Sequence, residues 1–309
     1  MKLNCDMGES FGAWRMGADA EIMPYVDMSN IACGFHASDP QVMNHTVTFA
    51  VHHNVAIGAH PGYPDLAGFG RKEMAFSEEE LVNIVLYQVG ALQAICRAHH
   101  TTVDYVKPHG ALYNTMMRDR SVYKALLKAV AALSPALSPT ISPALSSTLS
   151  PALSSTLSPA LSSTLSPALS STLSPTLSST LSPTLSPTTA PSIIAPTIPL
   201  MIMATPDHLE YKKMADEYGV TLLLEAFCDR AYTDEGLLQS RKIDGAVYQN
   251  IDTIISQAKK LIIERTVTTC TGNSLSINAD TLCIHGDGAL ALESVQRIRE
   301  LLTPPSPQS

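Results

Sequence analysis

Seven short runs rich in β-formers, each followed by a segment with helical spacing, restrict this chain to a parallel α/β sheet, open or closed. The runs are 2–6 (KLNCD), 29–35 (SNIACGF), 54–60 (NVAIGAH), 103–108 (VDYVKP), 200–205 (LMIMAT), 220–227 (VTLLLEAF) and 281–286 (TLCIHG). The helices between them have readable starts. Asp39-Pro40 supplies an N-cap and first turn before QVMNHTVTFAVHH. Ser77 and Glu80 form a capping box for a helix reaching about Ala98. Thr205-Pro206 opens a helix that Gly219 closes.

Ionisable residues gather where these strands end. The first ends in Asp6, with Glu9 just beyond; the second leads to His36 and Asp39; the third ends in His60 and continues to Asp65. The fourth carries Lys107 and His109, the sixth Glu225, Asp229 and Arg230, and the seventh His285 and Asp287. Only the fifth ends weakly, in Thr205 and Asp207, which read as helix caps. Parallel strands point their C-terminal ends to one face, and that face carries the chemistry. Strand parity agrees: Asn4 and Asp6 share a side, as do Asn30, Ala32, Gly34 and His36, then Ala56, Gly58 and His60, then Tyr105, Lys107 and His109, then Cys283, His285 and Asp287. Small residues below the histidines fit a narrow barrel interior, while Leu3, Ile31, Ile57 and Val106 take the helix-facing parity.

His52, His53, His99 and His100 close helices, where a cation suits the macrodipole, and His45 and His208 read as surface residues within helices. His36, His60, His109 and His285 lie at strand ends and, with Asp6 and Lys107, form the candidate site. Two chemistries stay open. His36, His60, His109 and Asp6 could hold a divalent metal, although no H-E-x-x-H spacing specifies one. Alternatively, a histidine or carboxylate activates water without a metal while Lys107 or Arg230 stabilises negative charge. Cys33 and His36 fall on opposite strand faces, which argues against a thiolate nucleophile. The segment AHPGYPDLAGFGRKE (59–73) has the glycines for a tight loop over the mouth, and its Arg71 could clamp a carboxylate or phosphate. No G-x-x-x-x-G-K-[ST] occurs, which weakens ATP binding by this chain without excluding it.

The middle of the chain is different. From Ser134 to Pro199 there is no charged residue, and units such as PALSSTLS recur every eight residues from Pro135 to about Ala190. Recurrent proline breaks long helices, and leucine alone offers too little apolar surface to offset chain entropy. Residues 134–191 are therefore expected to be a disordered insertion, and residues 1–133 with 192–309 one barrel domain of ordinary size. The insertion enters before the fifth strand, at the rim opposite the mouth.

All charge lies outside the repeat, and the net −8 includes no basic stripe, which argues against nucleic acid as a partner. Six cysteines without a C-x-x-C pair read as reduced thiols. No signal peptide and no apolar run long enough for a bilayer is expected, so a cytoplasmic protein without a membrane partner is anticipated.

Six ordered segments, LNCDMGESFG, NIACGFHASDP, GAHPGYPDLAGFGR, VKPHGALYN, EAFCDRAYTDEGLL and CIHGD, resemble the motifs of the family of 5-oxoprolinase A subunits, also termed the LamB/YcsF lactam-utilisation family. The resemblance covers nearly all the chain outside the repeat. It implies a distorted seven-stranded (β/α) barrel similar to the glycoside hydrolase and deacetylase barrels. It also implies ATP-dependent opening of the lactam 5-oxo-L-proline to L-glutamate, with ATP as co-substrate and subunits B and C as partners. Asp6, His36, His60, Lys107 and His109 match the family motifs as catalytic residues. Glu9, Arg71, Glu225, Asp229, Arg230, His285 and Asp287 are expected to contact substrate. Ser38 stands where glycine is usual and Cys228 where alanine is common, and HGDGA departs after its aspartate. Two other functions remain open: a stand-alone metal-dependent deacetylase or amidohydrolase, and a non-catalytic carbohydrate- or lactam-binding barrel.

Overall fold

The structure is a computed structural model that describes residues 1–133, 197–286, 288 and 290–303. The expected insertion and Asp287 lie outside the described residues. Nine strands are described: β1 (Lys2–Met7), β2 (Met28–Ala32), β3 (Ala56–His60), β4 (Tyr105–Val106), β5 (Leu200–Met203), β6 (Leu222–Phe227), β7 (Thr266–Thr268), β8 (Ser274–Ser276) and β9 (Thr281–Ile284). Seven of them close into one parallel barrel in the order β1-β2-β3-β4-β5-β6-β9, while β7 and β8 pair separately as an antiparallel hairpin.

The helices are α1 (Asp19–Ile22), α2 (Pro40–His53), α3 (Glu78–Ala98), α4 (Gly110–Arg118), α5 (Arg120–Leu133), α6 (His208–Glu217), α7 (Ile251–Lys259) and α8 (Ala291–Leu302). Their starts follow from local chemistry. The Asp39 side chain accepts from the Gln41 and Val42 amides at the start of α2, and Ser77 and Glu80 form the expected capping box of α3. Helix α3 is also long and apolar enough, by length and composition, to cross a membrane, which the expectation of no such run had overlooked. Its stripe of Leu81, Val85, Val89, Leu92 and Cys96 is buried in the barrel's outer core, so it serves here as a core helix.

Parity sorts each strand as the sequence implied. Leu3, Cys5, Met7, Ile31, Ile57 and Val106 join the main core between strands and helices. Inside the barrel, Met28, Tyr105 and Met201 form a separate apolar cluster that floors the interior. Register then sets the polar layer above it: Asp6 pairs with Asn30, Asn30 with Gly58, and Gly58 with Tyr105.

Strand ends differ from expectation where backbone chemistry intervenes. β2 stops at Ala32 rather than residue 35, because Gly34 at φ +94° turns the chain out of the sheet. His36 therefore sits on a loop and not on the strand face. β4 has two residues, since Pro108 has no amide to extend the ladder. The β7–β8 hairpin was not expected, as three-residue strands are too short to show alternation.

Candidate active site

Asp6, near the end of β1, anchors the site. Its Oδ1 accepts from Asn30 Nδ2 (2.8 Å) and Lys107 Nζ (2.9 Å), and its Oδ2 lies 3.4 Å from His60 Nε2. A column of neutral groups holds it from below. The Tyr105 hydroxyl donates to Asn30 Oδ1 (2.7 Å), Asn30 Nδ2 also donates to Asn4 Oδ1 (2.8 Å), and Asn4 Nδ2 donates to the Thr281 hydroxyl (2.9 Å).

Lys107 lies between two carboxylates. Its Nζ is 2.9 Å from Asp6 Oδ1 and 2.8 Å from Glu225 Oε1, and all three side chains are buried. Burial disfavours the ammonium, but the neighbouring Asp6 and Glu225 charges outweigh that and hold its pKa well above the usual value. Burial likewise opposes ionisation of Asp6, yet the charges of His60 and Lys107 keep it well below the usual carboxylate range. The Tyr113 hydroxyl donates to Glu225 Oε2 (3.0 Å) from α4. The result is a desolvated floor in which one ammonium is shared by two carboxylates.

Three imidazoles complete it. His60 Nδ1 is 2.7 Å from the Lys107 carbonyl, and its Nε2 is 2.9 Å from His109 Nδ1. His109 Nε2 is 2.9 Å from the Phe69 carbonyl, on the glycine-rich loop that folds over the mouth as expected. The His36 ring stacks on His109 at 3.8 Å between centroids. Burial, with the neighbouring His60 charge adding to it, pushes His36 well below the ordinary imidazole value, and His109 likewise, so both are neutral. Glu9 Oε1 is 3.7 Å from His36 Nε2 and 3.6 Å from His109 Nδ1. Glu9, His36, His60 and His109 thus offer one donor atom each, all within 4.8 Å of one another, a four-residue set that could hold a metal ion.

Above this floor opens a cavity of about 690 Å³. Asp6, His60, Lys107, His109 and His285 line its base, and Arg71, Lys72, Arg118, Arg230, Arg241 and Lys242 line its walls, with Glu73 the one acidic wall residue among the described residues. In a chain of net charge −8, this is a local reversal of sign. Arg71 lies 4.8 Å over the Phe69 ring, and Arg230 donates to the Ala246 (3.1 Å) and Gln239 (2.7 Å) carbonyls, which ties the loop after β6 to the wall. Burial pushes the Arg230 guanidinium down to about 10, still protonated at neutral pH. His285 Nδ1 is 2.8 Å from Asp229 Oδ2; burial opposes the Asp229 charge, and His285 outweighs it and lowers its pKa.

Asp19 supports Glu9 from α1. Its Oδ2 accepts from the Gly8 amide (2.8 Å), and Gly8 takes φ +69° one residue before Glu9. Burial pushes the Asp19 carboxyl up to about 6. An acid whose folded pKa exceeds its unfolded value of about 3.9 binds its proton more tightly when folded, so stability falls as pH rises between about 4 and about 6. Asp19→Asn keeps the acceptor and removes the charge. It should gain about 1–2 kcal/mol at neutral pH, after discounting for partial exposure, and flatten that pH window in denaturant titrations.

The sequence matches the LamB/YcsF family over residues 1–158 and 187–306. The chain belongs to the LamB/YcsF family. It is 41% identical over 302 residues to the A subunit of a Vibrio parahaemolyticus 5-oxoprolinase, covering 98% of this chain and 95% of that one. It is 42% identical over 300 residues to the A subunit of a Pseudomonas fluorescens 5-oxoprolinase, covering 97% and 96%. A crystal structure of a lactam utilization protein from Thermus thermophilus aligns with TM-score 0.72 and 34% identity over 98% of this chain and 95% of that one.

In this LamB/YcsF protein, Asp6, Glu9, His36, His60, Lys107, His109 and Glu225 meet at the C-terminal end of the barrel. Arg71, Arg230 and His285 border the cavity above, and Asp229 reaches it through His285. Asn4, Asn30, Tyr105 and Tyr113 support the site but were not expected to. Asn4 and Asn30 did carry a signal, as uncharged polar residues at inward strand positions. The Phe69 carbonyl and the wall cations Arg241 and Lys242 carried none.

Proposed function

We propose that this chain is the A subunit of an ATP-dependent 5-oxoprolinase, opening 5-oxo-L-proline to L-glutamate together with subunits B and C. The observation that carries the reading is a cationic cavity set over a buried Asp6–Lys107–Glu225 and imidazole floor. The substrate is a carboxylate, and coupling to ATP brings phosphate; Arg71 and Arg230 offer guanidinium groups suited to both. A five-membered lactam resists hydrolysis, so ATP cleavage supplies the driving force. Because the chain has no G-x-x-x-x-G-K-[ST] loop, phosphoryl activation is assigned mainly to the partners. Here, water adds to the carbonyl carbon of the phosphorylated lactam, the ring C–N bond breaks, the nitrogen takes a proton to become the amine of glutamate, and a second water hydrolyses the resulting acyl phosphate to release inorganic phosphate. Asp6, held as the anion, orients His60, which accepts the proton of the attacking water. The complex works in the cytoplasm, where ATP is at hand and free thiols stay reduced.

The test is glutamate and ADP release from 5-oxoproline and ATP, with and without the two partner subunits. Stoichiometric glutamate and ADP only in the full complex is the expected result. No glutamate in that complex overturns the proposal. The four-donor set favours one second reading, a metal-dependent amidohydrolase acting alone, which requires lactam opening by this chain without ATP or partners.

A further inference from the structure

Opening the lactam moves two protons. One leaves the attacking water for His60; the other must reach the ring nitrogen, which departs too slowly as an anion and so needs an acid beside it. The floor is a poor source of that second proton. Lys107 Nζ is held by both Asp6 and Glu225, whose charges bind its proton tightly. His109 donates from Nε2 to the Phe69 carbonyl (2.9 Å), and burial keeps it neutral. Tyr113 is committed to Glu225, and burial with that neighbouring charge raises its hydroxyl well above the usual value. As for the lysines of the wall, an ordinary ammonium is a weaker acid than an ordinary imidazolium by about four pKa units.

His285 differs from all of these. It follows β9, borders the cavity, and has its Nδ1 2.8 Å from Asp229 Oδ2. An ionised carboxylate only accepts, so Nδ1 carries the hydrogen of that bond. Nε2 remains, and among the described residues nothing is hydrogen-bonded to it. Asp229 in turn serves this one ring. Its Oδ2 also accepts from the His285 amide (3.3 Å), while its Oδ1 is buried without a hydrogen bond. The adjacent Arg230 directs its guanidinium to the Ala246 and Gln239 carbonyls instead. Gln257 of α7 fixes the loop on either side of Asp229, with Nε2 2.8 Å from the Phe227 carbonyl and 2.7 Å from the Arg230 carbonyl. The Phe227 ring stacks on His285 at 6.0 Å between centroids. A buried carboxylate on one imidazole nitrogen orients the ring and stabilises its charged form.

Placement agrees. His60 ends β3 and His285 follows β9, three strands apart in the ring β1-β2-β3-β4-β5-β6-β9, where no two strands lie further apart. A carbonyl carbon held between them has its water on one side and its nitrogen on the other.

We propose, on the 5-oxoprolinase reading of this cavity, that His285 is the general acid that protonates the departing ring nitrogen, with Asp229 as its positioning residue. Once water has added, the lone pair of the ring nitrogen takes the proton from Nε2 of the imidazolium. The C–N bond electrons then pass to that nitrogen, the carbonyl re-forms, and the amine is free. His285 is left as neutral imidazole and regains its proton from solvent through the cavity.

The test measures ADP and glutamate in the full complex, with ADP formed by the partners alone subtracted, and the melting temperature of each variant. Wild type should form about one ADP per glutamate. His285→Gln should melt like wild type and lose at least about 100-fold in glutamate formation. Its ADP formation should fall far less, because activation precedes C–N cleavage, so ADP per glutamate rises at least about tenfold. Asp229→Asn should shift the ratio in the same direction with about tenfold loss of glutamate. A merely structural role would lower both products together. A ratio that stays at the wild-type value in Asp229→Asn, or in a His285→Gln variant that melts like wild type, would overturn the assignment. So would full glutamate formation by His285→Gln. A wild-type complex that forms no glutamate overturns the 5-oxoprolinase reading and this assignment with it, whereas failure confined to the variants overturns this assignment alone.

Discussion

Lys107→Met is expected to destabilise the chain by about 3–5 kcal/mol and to lower glutamate formation by at least about 100-fold. The ammonium is sandwiched at 2.9 Å from Asp6 and 2.8 Å from Glu225. Methionine fills a similar volume, so the loss is electrostatic and not a cavity effect. Two buried carboxylates would then face each other without their shared counter-ion. Lys107→Met combined with Glu225→Gln tests that cause, because it removes one of the two stranded charges. Denaturant titration should show the double variant recovering a good part of the stability while activity stays low. If the single variant is as stable as wild type, Lys107 is not the charge-balancing group of the floor.

The same residue shows how far the sequence carries. Lys107 and His109 flank Pro108 at the end of an apolar run, and that pattern recurs at Asp6, His60, Glu225 and His285. Repetition on parallel strands was enough to place these groups at one mouth, because strand direction and parity are local properties that the barrel only collects. The inward column Asn4–Asp6 and the outward Leu3, Ile31 and Ile57 were readable for the same reason. Charge pairing was not readable. Nothing local states that Lys107 meets Glu225, which lies on another strand of the barrel, or that Glu9, where Asp6 was expected, completes the four-donor set with the imidazoles. His36 illustrates the limit: parity placed it on a strand, but Gly34 at φ +94° takes it onto a loop, and it reaches the site by a different path. The Phe69 carbonyl that orients His109 is backbone, so no residue type announced it.

Gly58→Ala is the second large effect, and it links the barrel floor to the site. A Cβ at this position would lie 2.1 Å from Tyr105 Cε2, far inside contact distance. Tyr105 is fully buried and cannot retreat, because its hydroxyl is bound to Asn30 at 2.7 Å and its ring is packed with Met28 and Met201. Overpacking of this kind costs about 1–3 kcal/mol, and more where neither partner yields. The displacement also has a direction. Moving Tyr105 frees Asn30 Oδ1, and Asn30 is what holds Asp6 Oδ1 from below. The single methyl should therefore lower the melting temperature and cut turnover by at least about tenfold, although Gly58 touches none of the charged groups of the floor. Adding Tyr105→Leu shortens the offending side chain. The double variant should melt above Gly58→Ala, while turnover stays depressed because Asn30 has lost its donor. Equal melting of Gly58→Ala and wild type would show that the barrel interior has room that this packing denies.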